Sequence, residues 1–339
     1  MSGSNYSNIS YFGVGDSFFS NGDPLAIIVP IVYSIICVVG ISANLFVIVI
    51  LLKFSNLHSI PNIFVLNLSI ADLLFLFTLP FIAHQRATKT WVFGAAVCKF
   101  IHGFDGMNQF TGIFILTAMS VDRYLAITKP MQSRSYRTPT KTRVISVLSW
   151  ILSFLASLVL WIYATVLTMD NGNPICIVRW SNEFQGGEIF IIYTFCIGFV
   201  MPLLLIVTAY FHVCRSLIQR EKSQFHEHTM SSHSKGKKLV AAIVIVIVAA
   251  FVICWLPFYV LNFISFAYPD LHRNRTFAIV YFIGICLGYF NSCLNPIIYS
   301  FMGKNFRQYV SRLSDRKHRH STNLQLRRKL PSSLVSNSK

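Results

Sequence analysis

A chain of 339 residues that is 54% hydrophobic and only 12% charged carries about half the charge of an ordinary soluble domain, for which roughly 25% is usual, so it cannot cover a water-facing surface of its own size. The net charge of +17 would suit a nucleic-acid binder, but its placement between and after long apolar stretches argues for a membrane protein instead.

Residues 1–24 form the expected extracellular tail, with sugar-acceptor triplets at Asn5 and Asn8. No short apolar segment precedes a small-residue cleavage site near Met1, so no removable signal peptide is expected and the first span acts as its own insertion signal. A bilayer core about 30 Å thick needs ~20 mostly apolar residues per helical span. The chain offers seven such stretches, at residues 25–52, 62–84, 96–128, 143–167, 188–215, 238–266 and 276–302. Each is near-continuously apolar, without the ten-residue alternation of barrel strands, so the expected fold is all-α, a seven-transmembrane helix bundle over residues 25–302. Residues 303–313 place Phe306, Tyr309, Val310 and Leu313 on one side of a short amphipathic helix lying along the membrane. Residues 314–339 are polar, basic and rich in Ser and Thr, as in a disordered cytoplasmic tail open to phosphorylation.

With the N-terminus outside, all but six of the 29 Lys and Arg residues fall on the cytoplasmic side; Arg86, Lys89, Lys99, Arg179, Arg273 and Arg275 lie outside. This positive-inside bias sets the orientation and removes most of the case for nucleic acid, while the basic tail suits anionic lipid. A third acceptor triplet, at Asn274, falls on the same outer side. Six of eight cysteines lie in or beside spans and read as packing residues. Cys98 and Cys176 remain, both on the oxidising side, and are the expected disulfide. Metal ligation is not expected, since neither is read as having a cysteine or histidine at close ligand spacing.

A charge or amide inside a span is costly and therefore a functional candidate. Asp72, Asp105 and Arg123 are such charges; Asn44, Asn67, Asn108, Asn291 and Asn295 are such amides, the first two reading as helix-joining hydrogen bonders. Asp105 lies one and a half to two turns below Cys98, where a poorly solvated carboxylate invites a ligand cation. An internal ion pair with an outer-loop arginine is the plainer alternative. Gln109 follows one turn deeper, and Phe258, Tyr259, Asn262 and Tyr289 complete an aromatic-walled pocket; His84, Gln85 and Trp91 read equally well as outer packing. Pro257 and Pro296 each remove a backbone hydrogen bond within a span and make pivots, with Trp255 and Phe251 stacked below the first.

The motifs Gly40-Ile41-Ser42-Ala43-Asn44, Leu68-Ser69-Ile70-Ala71-Asp72, Asp122-Arg123-Tyr124, Trp150, Cys254-Trp255-Leu256-Pro257 and Asn295-Pro296-Ile297-Ile298-Tyr299 stand in the order and spans of rhodopsin-like G-protein-coupled receptors, which the chain resembles from residue 25 to 313. Within them it looks like the somatostatin, opioid and melanin-concentrating-hormone branch. The stretches 80–85, 91–94, 105–126 and 287–295 most resemble melanin-concentrating-hormone receptors, with somatostatin and allatostatin-C receptors as the alternative. The resemblance implies a plasma-membrane receptor for a cationic, Arg- or Lys-bearing neuropeptide, signalling through an inhibitory-class G protein, with arrestin and receptor kinase as further partners. It implies no catalytic residues and no cofactor besides an allosteric sodium ion at Asp72, with oxygens from Asn108, Asn291, Ser292 and Asn295. Gly112, where the family often has serine, departs from that pattern. It also implies a switch in which Asp122 restrains Arg123 beside Tyr124, and Tyr210 and Tyr299 receive Arg123 on activation. A second acidic latch is missing, since Lys237 stands where some relatives have an acid.

Three rival classes fare worse. Transporters show repeated halves and paired broken helices, and no such internal symmetry is visible. An intramembrane enzyme would need a nucleophile and base at useful spacing. An amine receptor would carry serines on the outer half of the fifth span, where residues 189–200 offer Thr and Tyr at most. Asp16, Asp23, Asp170, Glu183, Glu188 and Asp270 add outer-face attraction for a basic peptide.

Overall fold

The computed structural model describes residues 24–55, 59–180, 186–225 and 232–302. The sequence-based assignments at Asn5, Asn8, residues 303–313 and residues 314–339, and the side chains of Lys237 and Tyr299, lie outside the described residues.

The chain runs through α1 (Pro24–Phe54), α2 (Ile60–Leu76), α3 (Leu79–Thr88), α4 (Gly94–Thr128), a single turn α5 (Pro130–Ser133), α6 (Pro139–Tyr163), β1 (Ala164–Thr168) and β2 (Pro174–Val178). It continues through α7 (Gly186–Phe195), a π-helical turn (Cys196–Val200), α8 (Met201–Phe225), α9 (Ser232–Ala267), a 3-10 turn (Pro269–Arg273) and α10 (Arg275–Met302). Among the described residues, seven helical segments are long and apolar enough to cross a membrane: α1, α2 with α3, α4, α6, α7 with α8, α9 and α10. The bundle is inside out relative to a soluble protein. Ile27, Ile35, Val38, Leu204, Phe211 and Ile253 face outward, while Asn44, Asp72, Asn108 and Asn295 are buried. That arrangement fits hydrocarbon, which offers no hydrogen bonds to backbone or side chain.

The helices of the fifth and sixth spans run past the expected bounds, to Phe225 and from Ser232, and the second and fourth differ for local reasons. The second is broken at Phe77 and Thr78, because Pro80 lies in the first turn of α3 and cannot donate to the preceding turn. The fourth starts earlier and stops earlier than expected, spanning Pro139–Tyr163; residues 164–167, read as its end, belong to β1. Thr138 caps its start by accepting from the Lys141 amide at 3.3 Å, and Lys99 donates to the terminal carbonyls of Trp161 and Ile162 at 3.1 and 2.9 Å.

β1 and β2 pair antiparallel with Val166 opposite Cys176. Their turn needs Gly172, whose φ of +82° suits only a residue without a Cβ. The hairpin is fixed over the bundle by the Cys98–Cys176 disulfide, with the two Cα atoms 5.6 Å apart, and by the Trp91 amide donating to the Pro174 carbonyl.

α4 runs through the middle of the bundle, with buried residues from Cys98 to Ile127. At 1.5 Å per residue its length is about 50 Å, well beyond a bilayer core. It therefore contributes side chains at every depth, and the three polar levels described next all hang on it.

Candidate functional site

At the end that carries the disulfide, the helices open into a cavity of about 950 Å³ including its mouth, roofed by Cys176 and Ile177 of β2. Asp105, Gln109, Phe258 and Tyr289, expected as binding residues, line it together with Arg86, His102, Trp91 and Gln85. Trp255 is part of its floor, with Gly288 beside the indole.

Asp105 is 8% exposed and is held by hydroxyls. Tyr289 donates to Oδ2 at 3.1 Å. Thr78 Oγ1 lies 2.9 Å from Oδ1 and 2.7 Å from the Phe75 carbonyl, and its single proton serves one at a time. The Tyr289 ring is clamped between Phe75, stacked at 4.6 Å, and Tyr33, edge-on at 5.7 Å, which aims its hydroxyl. Asp105 forms no ion pair with a basic side chain of the described residues, so the internal-pair alternative finds no partner among them. Two hydroxyl donors leave acceptor capacity unused on a carboxylate, which can take about four bonds.

Tyr259 and Asn262 do not line the cavity but stand behind it. Gln109 Nε2 donates to the Tyr259 hydroxyl, which donates in turn to the Thr194 carbonyl at 3.1 Å, linking α4, α9 and α7. Asn262 donates to the Phe258 carbonyl at 2.7 Å and accepts from Tyr281 at 3.1 Å. His84 packs edge-on against Phe93 at 5.0 Å. Trp91 is 3% exposed and donates to the Gly94 carbonyl at 2.8 Å, so its packing role and its place in the wall coexist. Thr78, Arg86 and His102 were not singled out from sequence. The metal argument also needs correcting: His102, four residues after Cys98, does bring a ring nitrogen within 4.8 Å of both sulfurs. The sulfurs bond each other and cannot serve as thiolate ligands.

Midway down, Asn295 Nδ2 donates to Asp72 Oδ2 at 2.9 Å, joining α10 to α2. Asn44 Nδ2 donates to the carbonyls of Gly40 and Ser292, both at 3.0 Å, and Trp150 Nε1 donates to Asn67 Oδ1 at 3.1 Å, so Asn44 and Asn67 do tie helices together. The side-chain oxygens of Ser69, Asn108 and Asn44 are buried in this layer without a hydrogen-bond partner among the described residues. An aromatic column links the two levels: Phe258 meets Trp255 edge-on at 6.0 Å, Trp255 lies 6.3 Å from Phe251, and Phe251 stacks on Phe199 at 5.9 Å. Pro257 lies inside α9 within this column and Pro296 inside α10 beside Asn295, each without a backbone N–H to donate to the preceding turn.

At the far end Asp122 is shared by two arginines. Arg137 reaches it twice, Nε to Oδ1 at 2.7 Å and Nη2 to Oδ2 at 3.1 Å, while Arg123 approaches Oδ2 at 3.4 Å. The expected restraint of Arg123 is thus the looser contact, and the tighter partner, Arg137, comes from the segment between α5 and α6, which the sequence reading did not consider. Tyr210 is buried close by, and Tyr124 lies 5.9 Å from the His212 ring.

Comparison with known proteins agrees with this architecture. The chain is 39% identical to the mouse (Mus musculus) somatostatin receptor type 2 over 286 residues, covering 82% of this chain and 74% of the relative. It is 37% identical to the Bos taurus somatostatin receptor type 5 over 308 residues, covering 91% and 80%. The human somatostatin receptor type 3 is 36% identical over 288 residues, covering 85% and 68%. These relatives favour the somatostatin alternative over the melanin-concentrating-hormone reading. The stretches that suggested the latter do general structural work: Pro80 breaks the second span, Gln85 bonds Cys176, and Trp91 packs under the hairpin. The sequence profile described as 7 transmembrane receptor (rhodopsin family) matches residues 43–299, and with seven apolar spans around a disulfide-roofed cavity the chain belongs to that family of multi-pass membrane receptors.

Proposed function

We propose that this receptor binds a cationic peptide of the somatostatin kind at the disulfide-roofed cavity, which faces the cell exterior, and signals through an inhibitory-class G protein. The observation that carries the reading is Asp105, a buried carboxylate at the cavity wall supported by two hydroxyls and paired with no base of the described residues. Breaking a buried ion pair costs several kcal/mol, typically about 3–5. A ligand lysine or arginine supplies the missing countercharge, and a ligand without one leaves the buried carboxylate uncompensated, which makes charge the first recognition element. Gln109, Phe258 and Tyr289 line the same cavity, while Tyr259 and Asn262 hold Gln109 and Tyr281 in place from behind.

Ligand contact at Trp255 reaches Phe251 through the aromatic column, and the proline-containing helices α9 and α10 supply the pivots. Release of Arg123 from Asp122 toward Tyr210 and Tyr299 then opens the opposite end to the G protein, with the reciprocal coupling that linkage demands. Arrestin and receptor kinase would read the tail, lipid would meet residues 303–313, and Asn5, Asn8 and Asn274 would carry sugar.

The residues around Asp72 fit a sodium ion, because two of the expected ligands, Asn108 and Ser292, hold buried side-chain oxygens without a hydrogen-bond partner among the described residues, as does nearby Ser69. Asp72, Asn108, Asn291, Ser292 and Asn295 would hold it, and the ion would offset the buried carboxylate and stiffen the resting bundle.

The test is inhibition of cAMP in cells expressing the receptor, challenged with somatostatin, melanin-concentrating hormone and their lysine- or arginine-substituted analogues. An active peptide should lose at least a hundredfold in potency at Asp105→Asn with surface expression retained. Unchanged potency in that variant, or indifference of the wild type to replacement of the peptide's base, overturns the reading.

A further inference from the structure

We infer that the ligand is dipolar: besides the cation that meets Asp105 it carries a carboxylate, which Arg86 receives nearer the mouth of the same cavity. The inference rests on the cation reading of Asp105 and adds a second, opposite requirement to it.

Both charged residues line one continuous cavity whose other walls include Tyr33, Phe75, Ile101 and Phe258. Their relative depth follows from α3. Thr78, at its base, touches Asp105 at 2.9 Å, and Arg86 stands eight residues further along the helix, about 12 Å at 1.5 Å per residue. Arg86 is therefore rooted nearer the mouth than Asp105, and the two side chains form no ion pair with each other.

Two consequences follow. A ligand bearing only positive charge offers the Arg86 guanidinium nothing to bond, in surroundings where Coulomb forces are stronger than in water. A ligand that carries its own anion gains that contact as well as the one to Asp105. Arginine is the side chain best shaped for the task, since its planar fork offers five N–H donors and meets a carboxylate through two at once. That number leaves donors for a ligand even where the protein occupies others. The arrangement favours dipolar ligands over simple amines and purely basic peptides, because only they engage both charged residues.

The test uses a displayed library of randomised, disulfide-cyclised nonapeptides, one half ending in a free carboxylate and the other in an amide, selected on full-length purified receptor. Wild type should enrich peptides that combine a base with an acid. Arg86→Gln should keep the base and lose the preference for the acid, with affinities of acid-bearing peptides falling about tenfold, the scale of one charge-assisted hydrogen bond. Asp105→Asn should keep the acid and lose the base. Enrichment of ring Asp or Glu in the amidated half assigns the anion to a side chain; enrichment confined to the other half assigns it to the C-terminus. Basic binders without an acid, or an acid preference that survives Arg86→Gln, overturn the inference while leaving the Asp105 reading intact. Absence of base enrichment on wild type overturns the Asp105 reading, and a pool indifferent to both substitutions overturns both.

Discussion

Gln85 and Cys176 are joined as if by a short stretch of sheet: Gln85 Nε2 donates to the Cys176 carbonyl at 3.2 Å, and Gln85 Oε1 accepts from the Cys176 amide at 2.9 Å. Cys176 is already tied to Cys98 through its sulfur. The roof of the cavity is thus pinned to α4 by a covalent bond and to α3 by two hydrogen bonds, and the second attachment satisfies a backbone amide that would otherwise lack a partner.

Gln85→Ala should leave the Cys176 amide unsatisfied, at about 1–3 kcal/mol, while the Cys176 carbonyl keeps its contact with the His102 ring. The hairpin should then exchange its amide hydrogens faster over residues 164–178 while the spans stay protected. Gln85→Glu should be at least as disruptive, because a carboxylate cannot donate to the Cys176 carbonyl. Hydrogen exchange read by mass spectrometry checks both, and unchanged protection of the hairpin in either variant would refute this role.

Asp122 and Arg137 should show strong energetic coupling. Their contact is bidentate, and the side chains are 9% and 25% exposed, so solvent screens the pair less than it would a surface pair. A double-mutant cycle of Asp122→Asn and Arg137→Ala on the thermal stability of purified receptor should give a coupling of about 1–3 kcal/mol. The parallel cycle with Arg123→Ala should give less, since that contact is single and 3.4 Å long. Additive effects in the Arg137 cycle would show the contact to be idle.

Most of the fold was legible because lipid imposes a rule that one sequence suffices to read: about 20 apolar residues per crossing. The same rule hid what departs from it. Residues 164–167 are apolar enough to pass for the end of the fourth span, yet their β-branched residues and the Asn171-Gly172 pair are hairpin signals that apolarity overrode. The break at Phe77 and Thr78 was equally open to inference from Pro80. At the site, Asp72, Asp105 and Arg123 announced themselves as charges in apolar spans. Their partners did not, because the approach of Thr78 and Tyr289 to Asp105 depends on how three helices are rotated against each other. Arg137 lies in a polar loop, where a basic residue draws no notice.

Gly103 should not tolerate a side chain. A Cβ there would lie 2.2 Å from the Trp161 ring, which is itself packed against Phe100, Phe104 and Phe154. Gly103→Ala should therefore separate α4 from α6 and lower thermal stability by about 1–3 kcal/mol. Trp161→Leu in that background should recover part of the loss. If Gly103→Ala is as stable as wild type, the close approach of these helices is incorrect.

Gly112 poses the opposite case. A Cβ there meets nothing nearer than Leu68 Cδ1 at 3.8 Å, so serine fits without displacing its neighbours. In the layer where Ser69 and Asn108 already hold oxygens without partners, a serine hydroxyl would add one more ligand for a hard cation beside Asp72. Gly112→Ser should therefore raise the thermal stability of purified receptor more steeply with sodium chloride than wild type does. Asp72→Asn should abolish the response in both backgrounds, and choline chloride at equal ionic strength should not reproduce it. A response to sodium that is equal in wild type and Gly112→Ser would mean that residue 112 does not reach the ion, and a response that survives Asp72→Asn would place the ion elsewhere.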